Sequence, residues 1–461
     1  MDSSDLMQKI SSLCKRRGFI FPGSEIYGGL ANTWDYGPLG TEIKKNLERA
    51  WWKFFVQDRL DMVGLDAAIL MNPKVWEASG HVANFNDAQV DCKQCKSRYR
   101  ADHLIEDALS NVKVEGLSPV DLTKLIQENK LKCPKCGAQN FTEARVFNLL
   151  FQTSIGSLEE AASTVYLRGE LAQGMFVNFK TIQESMRKKL PFGIAQVGKC
   201  FRNEITPGNF IFRTLEFDLM EFEYFIHPET WEDQFEYWLN QMHKWAEFIG
   251  LKQGKTRIRE HTKDELSHYS KRTVDIEFET PFGWKELYGL AYRTDFDLKN
   301  HIEKSGEDLQ YFDPVTNQKF IPHVIEPTFG LNRTLLMLLL SSYDEDETES
   351  AKGEKETRVV MRFPKHLAPY KVAVLPLSNK LNEKAEEVWK QISPHFVTDF
   401  DVTGSIGKRY RRQDEIGTPY CVTVDFDTLK DQQVTIRDRD QMTQERVDIE
   451  ELRKVLVGKF N

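Results

Sequence analysis

The sequence predicts an α+β protein with two domains: an antiparallel-sheet domain carrying a cysteine-rich insertion, then a smaller C-terminal α/β domain. Three observations point there. Two β-rich runs, Ile194 to Glu204 and Phe210 to Ile226, flank the turn residues Thr206-Pro207-Gly208-Asn209 and read as a long hairpin. Two Cys-x-x-Cys pairs interrupt the first half of the chain. Beyond Arg358, strand-like and helix-like segments alternate for about one hundred residues, a length at which domains fold alone. At 461 residues the chain is too long for one ordinary core.

In chain order, Tyr36-Gly37-Pro38-Leu39-Gly40 reads as a turn before a helix over Thr41 to Arg59, whose apolar positions Ile43, Leu47, Ala50, Trp51 and Phe54 recur at helical spacing. The stretch 91–141 holds both cysteine pairs around a helical middle, Ser118 to Asn129. Another strand is expected over Val274 to Thr280, and Glu326-Pro327-Thr328-Phe329-Gly330 leads into an apolar helix, Leu331 to Ser342. The boundaries that follow are a first domain over 1–343, an acidic linker over 344–357 and a C-terminal domain over 358–461. Tyr370 to Leu377 reads as a buried strand of that last domain.

Composition narrows the function. The formal charge is −8, and 40% of residues are hydrophobic against 29% charged, as in a folded enzyme. No apolar run is long enough to span a bilayer, and Met1 to Ser12 is polar, so no membrane role and a cytoplasmic location are expected. The acidic balance argues against sequence-blind coating of DNA. The segment Arg358 to Asn461 holds 18 basic and 16 acidic residues, making it the least acidic part of the chain. Its cluster Lys408-Arg409-Tyr410-Arg411-Arg412 is a candidate RNA contact, and an exposed charged helix face would explain it equally well.

Cys92, Cys95, Cys133 and Cys136 have knuckle spacing, with Gly137 free to turn backbone amides toward sulfur. Four thiolates suit a closed tetrahedral Zn²⁺ site of structural type. Gly193 to Cys200 imitates a phosphate loop, but cysteine replaces the Mg²⁺-binding hydroxyl and no helix follows. On the hairpin, Arg213, Phe217 and Glu221 share one face, as do Arg202 and Glu204. Guanidinium groups fork phosphate oxygens, an aromatic ring stacks on a base, and a carboxylate accepts from an amine. That face reads as a nucleotide platform, although a solvated face laced with Arg–Glu pairs fits the same residues. Arg333 falls in the first turn of its helix, where the dipole disfavours a cation unless an anion sits beside it.

These pieces resemble class II aminoacyl-tRNA synthetases. Phe201-Arg202-x-Glu204 with Arg213-x-x-x-Phe217 and Glu221 is similar to motif 2, Gly330-Leu331-Asn332-Arg333 to the core of motif 3, and Tyr36 to Gly40 with its helix to motif 1. Ile26 to Gly40, Trp76 to His81, Arg98 to Asp102, Phe201 to Phe210, Asp264 to Ser270 and Arg293 to Asp295 resemble the glycyl-tRNA synthetases of the single-chain homodimeric type, essentially end to end.

The resemblance implies an antiparallel catalytic sheet and an anticodon-binding domain. It implies a ligase that activates glycine with ATP and Mg²⁺, passes it to tRNA(Gly), and works as a homodimer. By position, Arg202, Glu286 and Arg333 would be catalytic. Arg202, Asn203, Glu204, Phe212, Arg213, Thr214, Leu215, Glu216, Phe217, Glu286, Leu287, Gly330, Leu331, Asn332 and Arg333 would bind ATP. Arg100, Glu170, Phe217, Asp218, Leu219, Met220, Glu221, Glu326, Pro327, Thr328, Phe329 and Gly330 would line the glycine side.

The chain departs from the family at Gly169 (usually proline), Leu171 (usually threonine), Thr328 (usually serine) and the bulky Phe329. These departures leave open the pocket's shape. The rival readings are a synthetase-like nucleic-acid-binding protein without catalysis, and a class II synthetase for another amino acid. The helix bearing Trp51, Trp52, Phe54 and Phe55 could serve the dimer or simply the core.

Overall fold

The computed structural model describes all residues except 1–2, 110–111, 113, 115–116, 157–162, 206–207, 264, 268, 350–354 and 461. Half of the hairpin turn, Thr206-Pro207, and positions 264 and 268 therefore lie outside the described residues.

Seven strands form the central sheet: β1 (Met62–Gly64), β2 (Phe192–Phe201), β3 (Glu216–Ile226), β4 (Thr256–Glu260), β5 (Arg272–Thr280), β6 (Gly283–Thr294) and β7 (His323–Gly330). Their order is β4-β5-β6-β7-β3-β2-β1, and every neighbouring pair is antiparallel except β1 with β2. The expected hairpin is the β2–β3 pair, in register from Phe201 opposite Glu216 to Phe192 opposite Phe225.

Alternation along β3 divides its side chains between two environments. Met220, Phe222, Tyr224 and Ile226 face the main core, where they meet α1 (Pro38–Trp52), α2 (Trp231–Phe248) and α3 (Leu331–Ser342). Helix α1 starts where Pro38 can occupy the first turn without wasting an amide. Ile43, Leu47 and Trp51 then recur every fourth residue and are buried. Gly40 is needed because a Cβ there would collide with the Phe19 carbonyl. Trp51 and Phe55 are wholly buried, with Trp52 and Phe54 packed partly against the same cluster, so this aromatic helix serves the core.

The other face of β3 presents Phe217, Leu219, Glu221, Glu223 and Phe225. Phe225 and Leu219 join a second core with Phe192, Ile194, Cys200, Phe176, Phe179 and Leu298. The two glutamates are thus set on an apolar floor.

The insertion forms its own small unit. Strands Asn86–Asp91, Arg98–Arg100 and Arg145–Asn148 make a three-stranded sheet, and the helix Pro119–Glu128 is capped by Ser118, whose hydroxyl accepts from the Asp121 amide. This helix falls where the sequence predicts it.

One expectation needs correction. The acidic stretch read as a linker over 344–357 supplies one strand of a β-ribbon, Tyr343–Glu349 paired antiparallel with Lys355–Met361. Arg358 draws it in: wholly buried, it donates to both Asp346 oxygens and pairs with Asp414. Charges that look like a solvated run in sequence are fixed by a basic partner strand. Beyond it, Val372–Pro376 is flanked by parallel strands Thr398–Phe400 and Tyr420–Val424, and Gln433–Asp438 and Gln444–Asp448 continue the five-stranded sheet antiparallel.

Candidate active site

A cavity of about 300 Å³ opens over the β3–β6–β7 face. It is lined by Arg202, Glu204, Phe212, Arg213, Thr214, Phe217, Glu286, Leu287, Gly330, Asn332 and Arg333 from the expected nucleotide set, and by Glu170, Asp218, Leu219, Glu221, Glu326 and Thr328 from the expected amino acid set. The two sets occupy different electrostatic surroundings.

The mouth is cationic. Arg202 leaves the end of β2, donates from Nε to the Gly169 carbonyl at 3.1 Å, and lies over the Phe85 and Phe217 rings. Arg213 pairs with Glu204 at 3.0 Å. Arg333, in the first turn of α3, lies 4.6 Å over Phe212 and pairs with Glu286 at 3.0 Å. The Arg333 charge holds the Glu286 carboxyl below its usual range. Beside them, His261 Nε2 lies 2.8 Å from Asp275.

The blind end is acidic and buried. Glu170, Glu221, Glu223 and Glu326 are all buried. Arg293, 1% exposed at the end of β6, donates to both oxygens of Asp297 and to Glu326 at 2.8 Å. Thr328 donates its hydroxyl to Glu221 at 2.7 Å, and the Leu171 amide donates to the other Glu221 oxygen at 3.0 Å. Glu170 lies 3.1 Å from His81 Nε2 and accepts from Gln173, which also donates to Asp297. Burial works to raise all four carboxyls, and the neighbouring charges decide each outcome. For Glu170 the His81 and Arg293 charges outweigh burial, and its carboxyl falls well below the usual range. For Glu221 burial and the Glu170 charge win, raising it. Glu326 is pushed up to about 8 by burial, which Arg293 only partly offsets and the Glu221 and Glu170 charges reinforce.

Several expected residues are elsewhere. Met220 and Phe329 point into the main core, where Phe329 packs on Trp51, Phe55 and Tyr288, so the bulky departure leaves the cavity untouched. Leu331 joins the same core, and Pro327 is buried opposite Leu290 without lining the cavity. Asp218 reaches the rim, but its carboxylate pairs with Lys44 of α1 at 2.8 Å. Glu216 is exposed and paired with Lys199, the residue that imitates a phosphate-loop lysine. Leu215 contributes its carbonyl to the Arg202 amide, and Asn203 donates its amide to the Leu149 carbonyl. Arg100 lies outside the lining, held by Asp87 and Asp102.

The other departures have local reasons. At Gly169 a Cβ would come within 3.2 Å of Phe85 and 3.3 Å of Leu150, so the space a proline ring needs is already filled. Leu171 is engaged through its backbone, and Thr328 supplies the same hydroxyl as serine. The basic cluster at Lys408 also differs from expectation. Arg409 is buried and donates to the Pro376, Val402 and Gly404 carbonyls, while Arg411 and Arg412 pair with Glu356 and Asp401. Most of that cluster holds the domain together.

Sequence reasoning assigned no role to His81, Gln173, Glu223, Arg293 or Asp297. One signal was available: Ala291 and Gly289 line the cavity two and four residues before Arg293, small residues on the face that must stay open. Arg293 and Asp297 are four residues apart and pair locally, whereas the Glu170 partner of His81 and the Gln173 partner of Asp297 come from a distant segment and leave no local trace.

The four cysteines of the insertion converge. Their sulfurs all lie within 4.8 Å of one another, with Cys92–Cys136 at 3.7 Å and Cys95–Cys133 at 3.6 Å.

A seven-stranded antiparallel sheet with cationic motifs around a carboxylate-floored pocket defines a class II aminoacyl-tRNA synthetase. The family described as tRNA synthetase class II core domain (G, H, P, S and T) matches residues 159–343, and the anticodon binding domain family matches 371–459. Glycine–tRNA ligases of Geobacillus thermodenitrificans and Acetivibrio thermocellus are each 56% identical to the chain, covering 100% of it and 98% and 100% of their own lengths. That of Clostridium perfringens is 56% identical over 98% of the chain and 97% of its own. The chain belongs to the glycine–tRNA ligase family.

Proposed function

We propose that the chain activates glycine with ATP, forming glycyl-adenylate and pyrophosphate, and transfers the glycyl group to the 3′ end of tRNA(Gly). The observation that carries this reading is the juxtaposition of buried Glu170, Glu221 and Glu326 with the arginines of the mouth. Glycine offers no side chain to grip, so a specific site must hold its ammonium and carboxylate. The glutamates attract the ammonium, and Arg202 draws the glycine carboxylate toward the α-phosphate. One carboxylate oxygen attacks the α-phosphorus, the bond to pyrophosphate breaks, and the charge is shared by Arg202, Arg213 and Arg333.

No general base is required, because the nucleophile is already an anion; positioning and charge neutralisation supply the rate. Phe212 and Phe217 offer rings for adenine. Glu286, exposed at the mouth, is the carboxylate placed to help hold the Mg²⁺ that accompanies ATP, whose charge would further neutralise the phosphates. Three retained arginines disfavour a non-catalytic binding protein.

The cysteine cluster fits Zn²⁺. Zinc–sulfur bonds of about 2.3 Å in a tetrahedron put sulfurs about 3.8 Å apart, close to the two separations given above. Such a site is closed and would stabilise the insertion without entering the chemistry. A cytoplasmic location belongs to the same reading, supported by thiols gathered as ligands. So does a homodimer, supported by the exposed apolar Ile26, Tyr27 and Leu30 in the family-like segment that leads into motif 1. The domain over 358–461 would engage the anticodon.

Glycine-dependent exchange of pyrophosphate into ATP should be strong for glycine, weak for alanine, serine and proline, and abolished in Arg202→Ala. Exchange that prefers another amino acid would overturn the substrate assignment. The KM for glycine should rise as pH falls below about 8, since a proton on Glu326 removes a charge that attracts the ammonium. A KM that stays flat or falls on acidification would contradict that role. Elemental analysis of the purified full chain should find about one zinc per chain, lost in Cys133→Ser; a metal-free wild-type protein would reject the site.

A further inference from the structure

Behind the cavity lining, beside Glu221 and Glu326, lies a buried glutamate with no donor, Glu223. It is 0% exposed, and neither carboxyl oxygen has a hydrogen-bond partner among the described residues. One oxygen of Glu221, one of Glu223 and one of Glu326 lie within 4.8 Å of one another. Two of the three are provided for: Glu221 accepts from Thr328 and the Leu171 amide, and Glu326 from Arg293. Glu223 sits on β3 opposite Ile194 of β2, two residues from Phe225, in the apolar part of that sheet face. The charged groups facing it are Glu221 on its own strand, Glu326 on β7, Arg293 on β6 and Asp297 on the helix Phe296–Ser305. The single guanidinium of Arg293 already serves Asp297 and Glu326.

A third buried anion would therefore have no compensation, at a cost of several kcal/mol. A neutral acid in the same place becomes a donor, and its acceptors are the carboxylates beside it. We propose that Glu223 is a permanently protonated positioning residue that donates a hydrogen bond to Glu326 or Glu221 and holds the ammonium-binding carboxylates in place. This rests on the reading that Glu221 and Glu326 receive the glycine ammonium, but the protonation state is testable without it. Burial and the adjoining Glu326 charge push the Glu223 carboxyl far above the ordinary range, with Arg293 offsetting only part. Glu326 remains the group that titrates when glycine binds; Glu223 keeps its proton throughout.

The amide of Glu223→Gln is isosteric with the acid and also donates, so this variant should keep the wild-type KM for glycine and its pH profile. Glu223→Leu, which fills the space but cannot donate, should raise the KM about tenfold. Independently of catalysis, the infrared spectrum of the full chain at a pH above the value of about 8 at which Glu326 loses its proton should show a protonated-carboxylic C=O stretch that shifts in D₂O and is missing in Glu223→Gln.

Stability gives a third readout. The folded wild type binds a proton that the unfolded chain releases above its ordinary value of 4.5, so folding stability drains away as pH rises from there. Glu223→Gln lacks that loss and should melt above the wild type at pH 8, with the gap closing toward pH 5 as unfolded glutamate becomes protonated. An absent infrared band, or a Glu223→Gln variant with a markedly raised KM and no stability gain at alkaline pH, would overturn the proposal. If the infrared and melting results hold while Glu221→Gln and Glu326→Gln leave the glycine KM unchanged, the ammonium reading fails and the protonated acid stands.

Discussion

The arrangement depends on keeping a cluster of carboxylates buried next to one arginine. Glu170, Glu221, Glu326 and Asp297 are each buried, and the described groups that offset them are the Arg293 guanidinium, the Thr328 hydroxyl, His81, Gln173 and a backbone amide. Removing one partner from a buried pair costs about 3–5 kcal/mol, whereas a surface pair contributes under about 1 kcal/mol. The pocket is thus a stored electrostatic deficit, which a small cation relieves on entering. That deficit reads the ammonium every amino acid carries, so rejection of larger amino acids falls to steric exclusion by the pocket walls.

The sheet makes this possible by segregating its faces. Alternation sends Phe222 and Phe329 into an aromatic core that fixes the backbone, while the same strands turn Glu221, Glu326 and Thr328 toward the cavity. The core face resists movement because it is filled by Trp51 and Phe55 at the end of α1, by Phe235, Trp238 and Trp245 of α2, and by the leucines of α3. Residues on the opposite face inherit that rigidity, and an electrostatic site needs it, since donors must be aligned before charge develops.

Much of this was legible in the sequence. The hairpin, the apolar helix after Gly330 and the helix between the cysteine pairs each carry a local signature: β-rich runs around a turn, helical periodicity after a glycine, a serine cap before a proline. The motif arginines were found because their spacing matches a specific pattern. Face assignment was only partly legible. Adjacent residues within 217–221 and 326–330 were grouped as pocket residues, although a strand must send alternate members to the core. Met220 and Phe329 were misplaced for that reason. The acidic stretch at 344 was misread because its partner, Arg358, lies on the paired strand, and composition alone cannot show that a charge run is paired. Arg293, His81 and Asp297 were passed over because the contacts that tie them to the pocket, with Glu326, Glu170 and Gln173, join distant segments.

The direct test is to compare two non-hydrolysable adenylate analogues by calorimetry on the full chain, identical except that a glycyl ammonium in one is a hydroxyl in the other. If buried carboxylates read the ammonium, replacing it with a hydroxyl should weaken binding at least about a hundredfold, with the loss shrinking in Glu221→Gln. Equal affinity for the two analogues would contradict the account.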